Sequence, residues 1–274
     1  MSDHRQIEAS TGTFDAITAG EPGGRPVLLL HGFPTAATAW AHQVAVLGHA
    51  GLRAVAFDQR GYSPSARPPD IADYRLEALV EDVLAVADAL GWAEFDLVGH
   101  GMGAVVAWHT AAEHPDRLRT ITAVANPHPG ALAAAERSDE DQAMRSQHLP
   151  VLRERSAERR LLADGGAALR QLFEWRVATP DVDDYLERLA EPGALTAALN
   201  WFRAERWNTL PDKVDVPALY VWGTEDVTVG STAALSCGDW VSGAYRFEMA
   251  EDVSHWVPQE AADWLTGLLL DHLR

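Results

Sequence analysis

The chain is poor in cysteine, in lysine, in positive charge and in long apolar runs, and each shortage removes a class of function. Its one cysteine, Cys237, excludes an intrachain disulfide framework and any metal site built on several thiolates. Its one lysine, Lys213, leaves Schiff-base chemistry a single residue to rest on. Acidic residues outnumber basic ones 40 to 22, for a formal net charge of −18. Such a surface repels phosphate backbones, which argues against nucleic acid as a partner and for a soluble monomer or homodimer. No apolar run approaches the ~20 residues a bilayer span needs, so no membrane partner is expected. The opening MSDHRQIEAS has neither a basic flank nor an apolar core of the kind a secretory signal carries, and the reading is a cytoplasmic protein.

What remains is ordinary globular composition, 47% hydrophobic and 23% charged over 274 residues. Short, nearly continuous apolar runs read as strands buried on both faces of a parallel sheet: 25–30, 53–57, 95–98, 121–124, 218–222 and 245–249. Thr13 to Thr18 reads as an antiparallel edge strand. Amphipathic helices separate the central runs. The clearest spans Leu76 to Leu90, with Leu79, Val80, Val83 and Val86 on one face and Gly91 as its stop. A last helix is expected from about Pro258, a residue suited to a first turn. The alternation fails between about 131 and 212, a stretch that reads as all-helical. The expected architecture is therefore α/β: a core at 1–130 and 213–274, with helices on both faces of a mostly parallel sheet, and a helical cap at 131–212.

The segment Phe95 to Ala104 runs from a strand through Gly99-His-Gly-Met-Gly103 into a helix. This is the strand–turn–helix context of a nucleophile elbow, where flanking glycines permit the sharp turn and the apex side chain stands above the sheet. Here the apex is Gly101, which has no side chain. His31-Gly-Phe-Pro34 follows the strand at 25–30, where the backbone N–H groups of Phe33 and Met102 would form an oxyanion hole. Asp226 follows the next-to-last strand and His255 the last. The order of nucleophile position, Asp and His is that of a triad in which Asp226 orients His255 and His255 acts as base.

Taken with these, the blocks Asp58-Gln-Arg-Gly-Tyr62, Asn126-Pro-His-Pro129, Leu199-Asn-Trp-Phe-Arg203 and Trp222-Gly-Thr-Glu-Asp226 resemble the α/β-hydrolase superfamily over about residues 10–274. The last three resemble its capped epoxide-hydrolase and haloalkane-dehalogenase branch, whose apex is usually aspartate. Met102 resembles the serine branch instead. The resemblance implies the α/β-hydrolase fold and hydrolysis of a small molecule, with no cofactor and no metal. Phe202 stands where epoxide hydrolases carry a ring-opening tyrosine, and a phenyl ring cannot donate a proton; Tyr185 is a candidate substitute. The candidate substrate-binding residues are His31, Trp40 and His128 near the motifs, Trp175, Trp201 and Phe202 in the cap, and Trp256 beside His255. Trp207 is a further cap tryptophan.

Three readings of Gly101 stay open. It replaces a serine (or aspartate) nucleophile in an ester or lactone hydrolase of a small apolar or aromatic substrate. It belongs to an enzyme that uses His255 as a general base without a covalent step. Or the chain binds small molecules without turning them over. Other patterns carry less. Gly99-x-Gly101-x-x-Ala104 lacks the acidic residue a dinucleotide site needs at the next strand end. The run Arg153 to Arg160 alternates with Glu154 and Glu158 and reads as a solvated helix face.

Overall fold

A computed structural model describes residues 3–173, 175–204 and 210–274; Trp207 lies outside them. Eight strands form one sheet: β1 (Asp3–Ala9), β2 (Gly12–Ala19), β3 (Arg25–Leu30), β4 (Leu52–Phe57), β5 (Phe95–His100), β6 (Leu118–Val124), β7 (Ala218–Gly223) and β8 (Tyr245–Ala250). Their order is β1-β2-β4-β3-β5-β6-β7-β8. β1 and β2 pair antiparallel, as do β2 and β4; every later pairing is parallel. Thr13 to Thr18 therefore lies in the second strand, not at the edge. The edge is β1, whose DHRQIEA is polar and exposed except at Ile7, so it carries no alternating apolar signal.

Strand alternation divides the core between two faces. Leu28 and Leu30 of β3 point to the side covered by α2 (Leu76–Ala89) and α3 (Met102–Glu113). Val27 and Leu29 point to the side covered by α1 (Ala41–His49) and by the helix nearest the C-terminus. Between β6 and β7 come α4 (Pro129–Ser138), α5 (Glu140–Arg145), α6 (His148–Arg153), α7 (Ala157–Gln171), α8 (Thr179–Ala190) and α9 (Ala194–Ala204), the helical cap. α7 is interrupted at Ala163, Asp164, Gly165 and Gly166, the last three with positive φ. After β7 come α10 (Ser231–Leu235), α11 (Val257–Glu260) and α12 (Ala262–His272). Pro258 does sit in the first turn of α11, but the chain breaks at Ala261 before α12 begins.

Chain order explains where the site falls. From β3 the chain moves to β4 on one side and then to β5 on the other, so connections diverge between β3 and β5. In open α/β sheets the crevice beyond the carboxyl ends of such a pair is where ligands bind. Side chains seat the cap above it. Trp201 Nε1 donates to the Arg60 carbonyl at 2.7 Å, and Arg188 of α8 reaches Asp58 at 3.3 Å. Arg176 pairs with Glu225.

Candidate active site

The elbow has the backbone of a nucleophile-bearing turn. Gly101 has φ 56° and ψ −120°, between β5 and α3. Its flanking glycines are demanded by close approach: a Cβ on Gly99 would lie 2.2 Å from the Gly103 carbonyl oxygen, and one on Gly103 would lie 2.4 Å from that of Leu30. At Gly101 the space is open. A Cβ there would meet His255 Nε2 at 3.4 Å and Gly32 Cα at 3.6 Å, ordinary contacts. Position 101 thus has room for a side chain aimed at the imidazole, and the sequence supplies none.

His255 is held from two sides. Its Nδ1–H donates to Asp226 Oδ2 at 2.8 Å, which leaves Nε2 facing the elbow. Asp226 is buried, and burial by itself pushes its pKa up. The His255 imidazole and the hydrogen bonds from Thr228 more than offset this and hold the carboxyl below its ordinary value. Its other oxygen, Oδ1, accepts from Thr228 N and Oγ1, both at 2.7 Å, and from Val229 N at 3.1 Å. From the elbow side, His100 Nε2–H donates to the His255 carbonyl at 2.9 Å. Burial lowers the His100 pKa to about 3, so the ring is neutral and serves as a strut. Sequence reasoning did not single out His100; its place inside the elbow motif was the available signal.

A cavity of about 750 Å³ opens above Gly101 and His255, within the usual range for small-molecule sites. Phe33, Met102, Phe202 and Trp256 line it. Phe33 and Phe202 meet edge to face in its lining, with centroids 5.2 Å apart. Met102 opens α3, so its N–H belongs to the first turn, which has no intrahelical acceptor.

Five candidate substrate-binding residues lie elsewhere. Trp40 is fully buried on the opposite face of the sheet, packed with α1 and α12. His31 is buried: its Nε2 accepts from Gln59 N at 3.1 Å, its Nδ1–H donates to the Gly32 carbonyl at 3.0 Å, and burial lowers its pKa to about 4. Trp201 stacks on His31 rather than facing the cavity. His128 caps α4, accepting from Gly130 N at 3.0 Å, and stacks on Trp240; burial lowers its pKa to about 4. Trp175 is 95% exposed. For the four buried ones the reason is that aromatic and imidazole groups near a motif are as useful for locking loops together as for touching a ligand. Tyr185 is also buried, stacked on Phe173 with its pKa pushed up to about 12. Among the described residues no tyrosine lines the cavity.

The cavity holds polar groups that sequence reasoning missed. Arg137, Arg145 and Arg153 line it on the cap side, with His148 and Glu136. Arg153 thus departs from the solvated face expected of its run, while Arg160 and Glu154 do pair at the surface. Arg145 braces the floor: its Nη1 donates to the Asp226 carbonyl at 2.6 Å, and its own carbonyl accepts from His148 Nδ1 at 2.7 Å. Among the described residues, no group of three or more His, Cys, Asp or Glu side chains is placed to hold a metal ion, and no helix is long and apolar enough to cross a membrane.

Residues 25–262 match the model of the α/β-hydrolase fold family, and the chain belongs to that family. It is 30% identical to Epoxide hydrolase A of Mycobacterium tuberculosis, an alignment covering 98% of this chain and 96% of that one. It is also 30% identical to the AB hydrolase superfamily protein YfhM of Bacillus subtilis, over 96% of this chain and 94% of the relative. Among solved structures, an epoxide hydrolase of Bacillus megaterium in complex with an inhibitor superposes with a TM-score of 0.89 at 23% identity, covering 98% of this chain and 99% of that one. A Vigna radiata epoxide hydrolase does so with a TM-score of 0.86 at 25% identity, over 99% and 98%.

Proposed function

We propose that the protein opens an epoxide on a small apolar or aromatic molecule by direct addition of water, with His255 as the base and no covalent intermediate. The names of the Mycobacterium tuberculosis relative and of the superposed structures turn the choice toward epoxides and away from the ester or lactone expected from the elbow. The observation that carries the non-covalent route is the open space at Gly101, 3.4 Å from His255 Nε2 at the point where a Cβ would stand.

The step balances as follows. A water above Gly101 gives a proton to His255 Nε2 as its oxygen attacks an epoxide carbon. The carbon–oxygen bond breaks, with its electron pair going to the ring oxygen. Backbone N–H groups of Phe33 and Met102 hold the developing negative oxygen. The imidazolium then returns its proton to that oxygen, and the product is a vicinal diol, one water added. Asp226 keeps the imidazole in the tautomer that leaves Nε2 free to accept. Phe202 has no proton to give, so His255 handles both transfers.

Phenyl glycidyl ether in ¹⁸O-labelled water tests the route. The expected diol carries one ¹⁸O in the first turnover, and mass spectrometry finds no adduct on the protein. A protein-bound ester intermediate, or turnover unchanged in His255→Ala, overturns the proposal. Should only Gly101→Ser act, and only on esters, the ester-hydrolase reading returns.

A further inference from the structure

We propose that Asn126 holds the attacking water, its Oδ1 accepting one O–H while His255 Nε2 accepts the other. This rests on the water-addition route for the reaction itself and adds to it the group that aims the nucleophile.

The end of β6 stands beside the elbow. One oxygen, the Val124 carbonyl, accepts from Gly101 N at 3.1 Å and from Asn126 N at 3.0 Å. The two residues are therefore tied to the same atom, and both line the cavity together with His255.

The loop that carries Asn126 is tightly fixed. Ala125 has φ 68°, a left-handed conformation that strains a residue with a Cβ. Ala125 N donates to the Val221 carbonyl at 2.9 Å, and the Ala125 carbonyl accepts from the Tyr220 hydroxyl at 2.9 Å. The Asn126 carbonyl accepts from Trp108 Nε1 at 3.3 Å. Pro127 follows and narrows the backbone of Asn126 further. Every backbone polar group of residues 125 and 126 is thus bonded. The carboxamide of Asn126 is not: among the described residues it has no hydrogen-bond partner. A half-buried amide left idle on a pinned backbone, facing a ligand cavity, is preorganised for a guest. Thr228 also lines the cavity, but its hydroxyl is occupied by Asp226 Oδ1 at 2.7 Å.

Sheet order says which guest. β5 lies between β3 and β6, so the Gly101 apex stands between the Phe33 loop on one side and Asn126 on the other. Opening an epoxide by displacement requires the entering and departing oxygens on opposite sides of the carbon. With the departing oxygen on the N–H groups of Phe33 and Met102, the entering water falls to the Asn126 side.

Oδ1 is the atom that serves it. A water held by two acceptors has both O–H bonds engaged and keeps a lone pair for the carbon, whereas a donor such as Nδ2 would occupy that lone pair. In the step, the O–H on His255 breaks and its proton passes to Nε2. The O–H on Asn126 survives as a hydroxyl of the diol, and Asn126 itself neither gains nor loses a proton.

Wild type, Asn126→Leu and Asn126→Asp test this. Leucine has a similar size and no acceptor; aspartate keeps one. With phenyl glycidyl ether, Asn126→Leu should lower kcat by about 10–100-fold and leave KM within about 2-fold, as a misplaced nucleophile beside a normally bound substrate requires. Asn126→Asp should recover most of that loss. Crystal structures should show, in wild type and Asn126→Asp, one water within about 3.2 Å of both His255 Nε2 and the side-chain oxygen at 126, and none there in Asn126→Leu. Should the leucine variant not fold, the wild-type water decides. A wild type without that water, a leucine variant with wild-type kcat, or a loss confined to KM overturns the proposal. The two failures are distinct. A bridging water in a protein that opens no epoxide overturns the water-addition route and leaves Asn126 as the water's anchor; diol formation by a wild type that lacks the water overturns only the role of Asn126.

Discussion

The floor and the roof of the cavity are built from different materials. The floor comes from loops at the ends of β3, β5, β7 and β8, and backbone groups hold it: glycines packed against carbonyls, His100 bonded to the His255 carbonyl, Asp226 wrapped by N–H groups of its own turn. The roof is a set of short helices held by side chains, chiefly arginines and Trp201. A backbone-held floor fixes the base to a fraction of an ångström, as proton transfer requires. A roof seated by long side chains can be rebuilt residue by residue without disturbing that geometry. On the proposed function, chemistry belongs to the first and choice of substrate to the second.

The largest expected effect breaks the floor. His255→Ala should lower diol formation by about 10²–10⁴-fold, the span general acid–base catalysis covers. Asp226→Asn should also lower it by disturbing the tautomer. Neither should alter affinity for a small apolar ligand by more than a few-fold. Calorimetry beside a turnover assay checks both halves; a matching loss of affinity would erase the division between floor and roof.

Acid should come next, acting through the struts and not the base. His31, His100 and His128 are kept neutral by burial, with pKa values lowered to about 4, 3 and 4. In the unfolded chain they return to about 6.5. Their stability contribution is therefore complete above that value and is lost as the pH falls from it toward about 4. Asp58 acts the other way over part of this window, because burial raises its pKa to about 6. From these four groups alone, three against one give a loss of about 3 kcal/mol per pH unit between pH 6 and 4. Urea denaturation at pH 7.5, 6 and 5 measures it, and a flat profile from 7.5 to 5 would contradict the assignment of neutral struts.

Gly101→Ala sharpens the comparison on the floor. Its Cβ fits the space, yet φ of 56° is costly for any side chain, so stability should fall by about 1–3 kcal/mol. A variant as stable as wild type would mean the elbow relaxes. The smallest effect belongs to the roof. Trp201→Phe deletes one hydrogen bond to the Arg60 carbonyl. It should cost about 1 kcal/mol and about 2–4 °C in melting temperature, read by calorimetric scanning.

The same division governs how much could be read from residues alone. Glycine spacing around position 101, and the order of Asp226 and His255 after the last two parallel strands, are local signals tied to backbone geometry, and they located the floor. The roof offers no such signal. Arg137, Arg145, His148 and Arg153 face the cavity because short helices happen to turn them there, and periodicity in a six-residue helix such as α5 says little about facing. Trp40 shows the converse limit: close to His31 in sequence, it points through to the far side of the sheet. β1 stayed hidden because an exposed edge strand needs no apolar face.

The bare apex has an evolutionary consequence. A glycine codon ending in a pyrimidine becomes serine by one base change and aspartate by another. Where the codon at 101 ends that way, with room already present and the imidazole already aimed, the chain stands a single mutation from either nucleophile. The absent side chain makes position 101 a crossroads in sequence space, where the nucleophile can be chosen anew while everything that serves it stays in place.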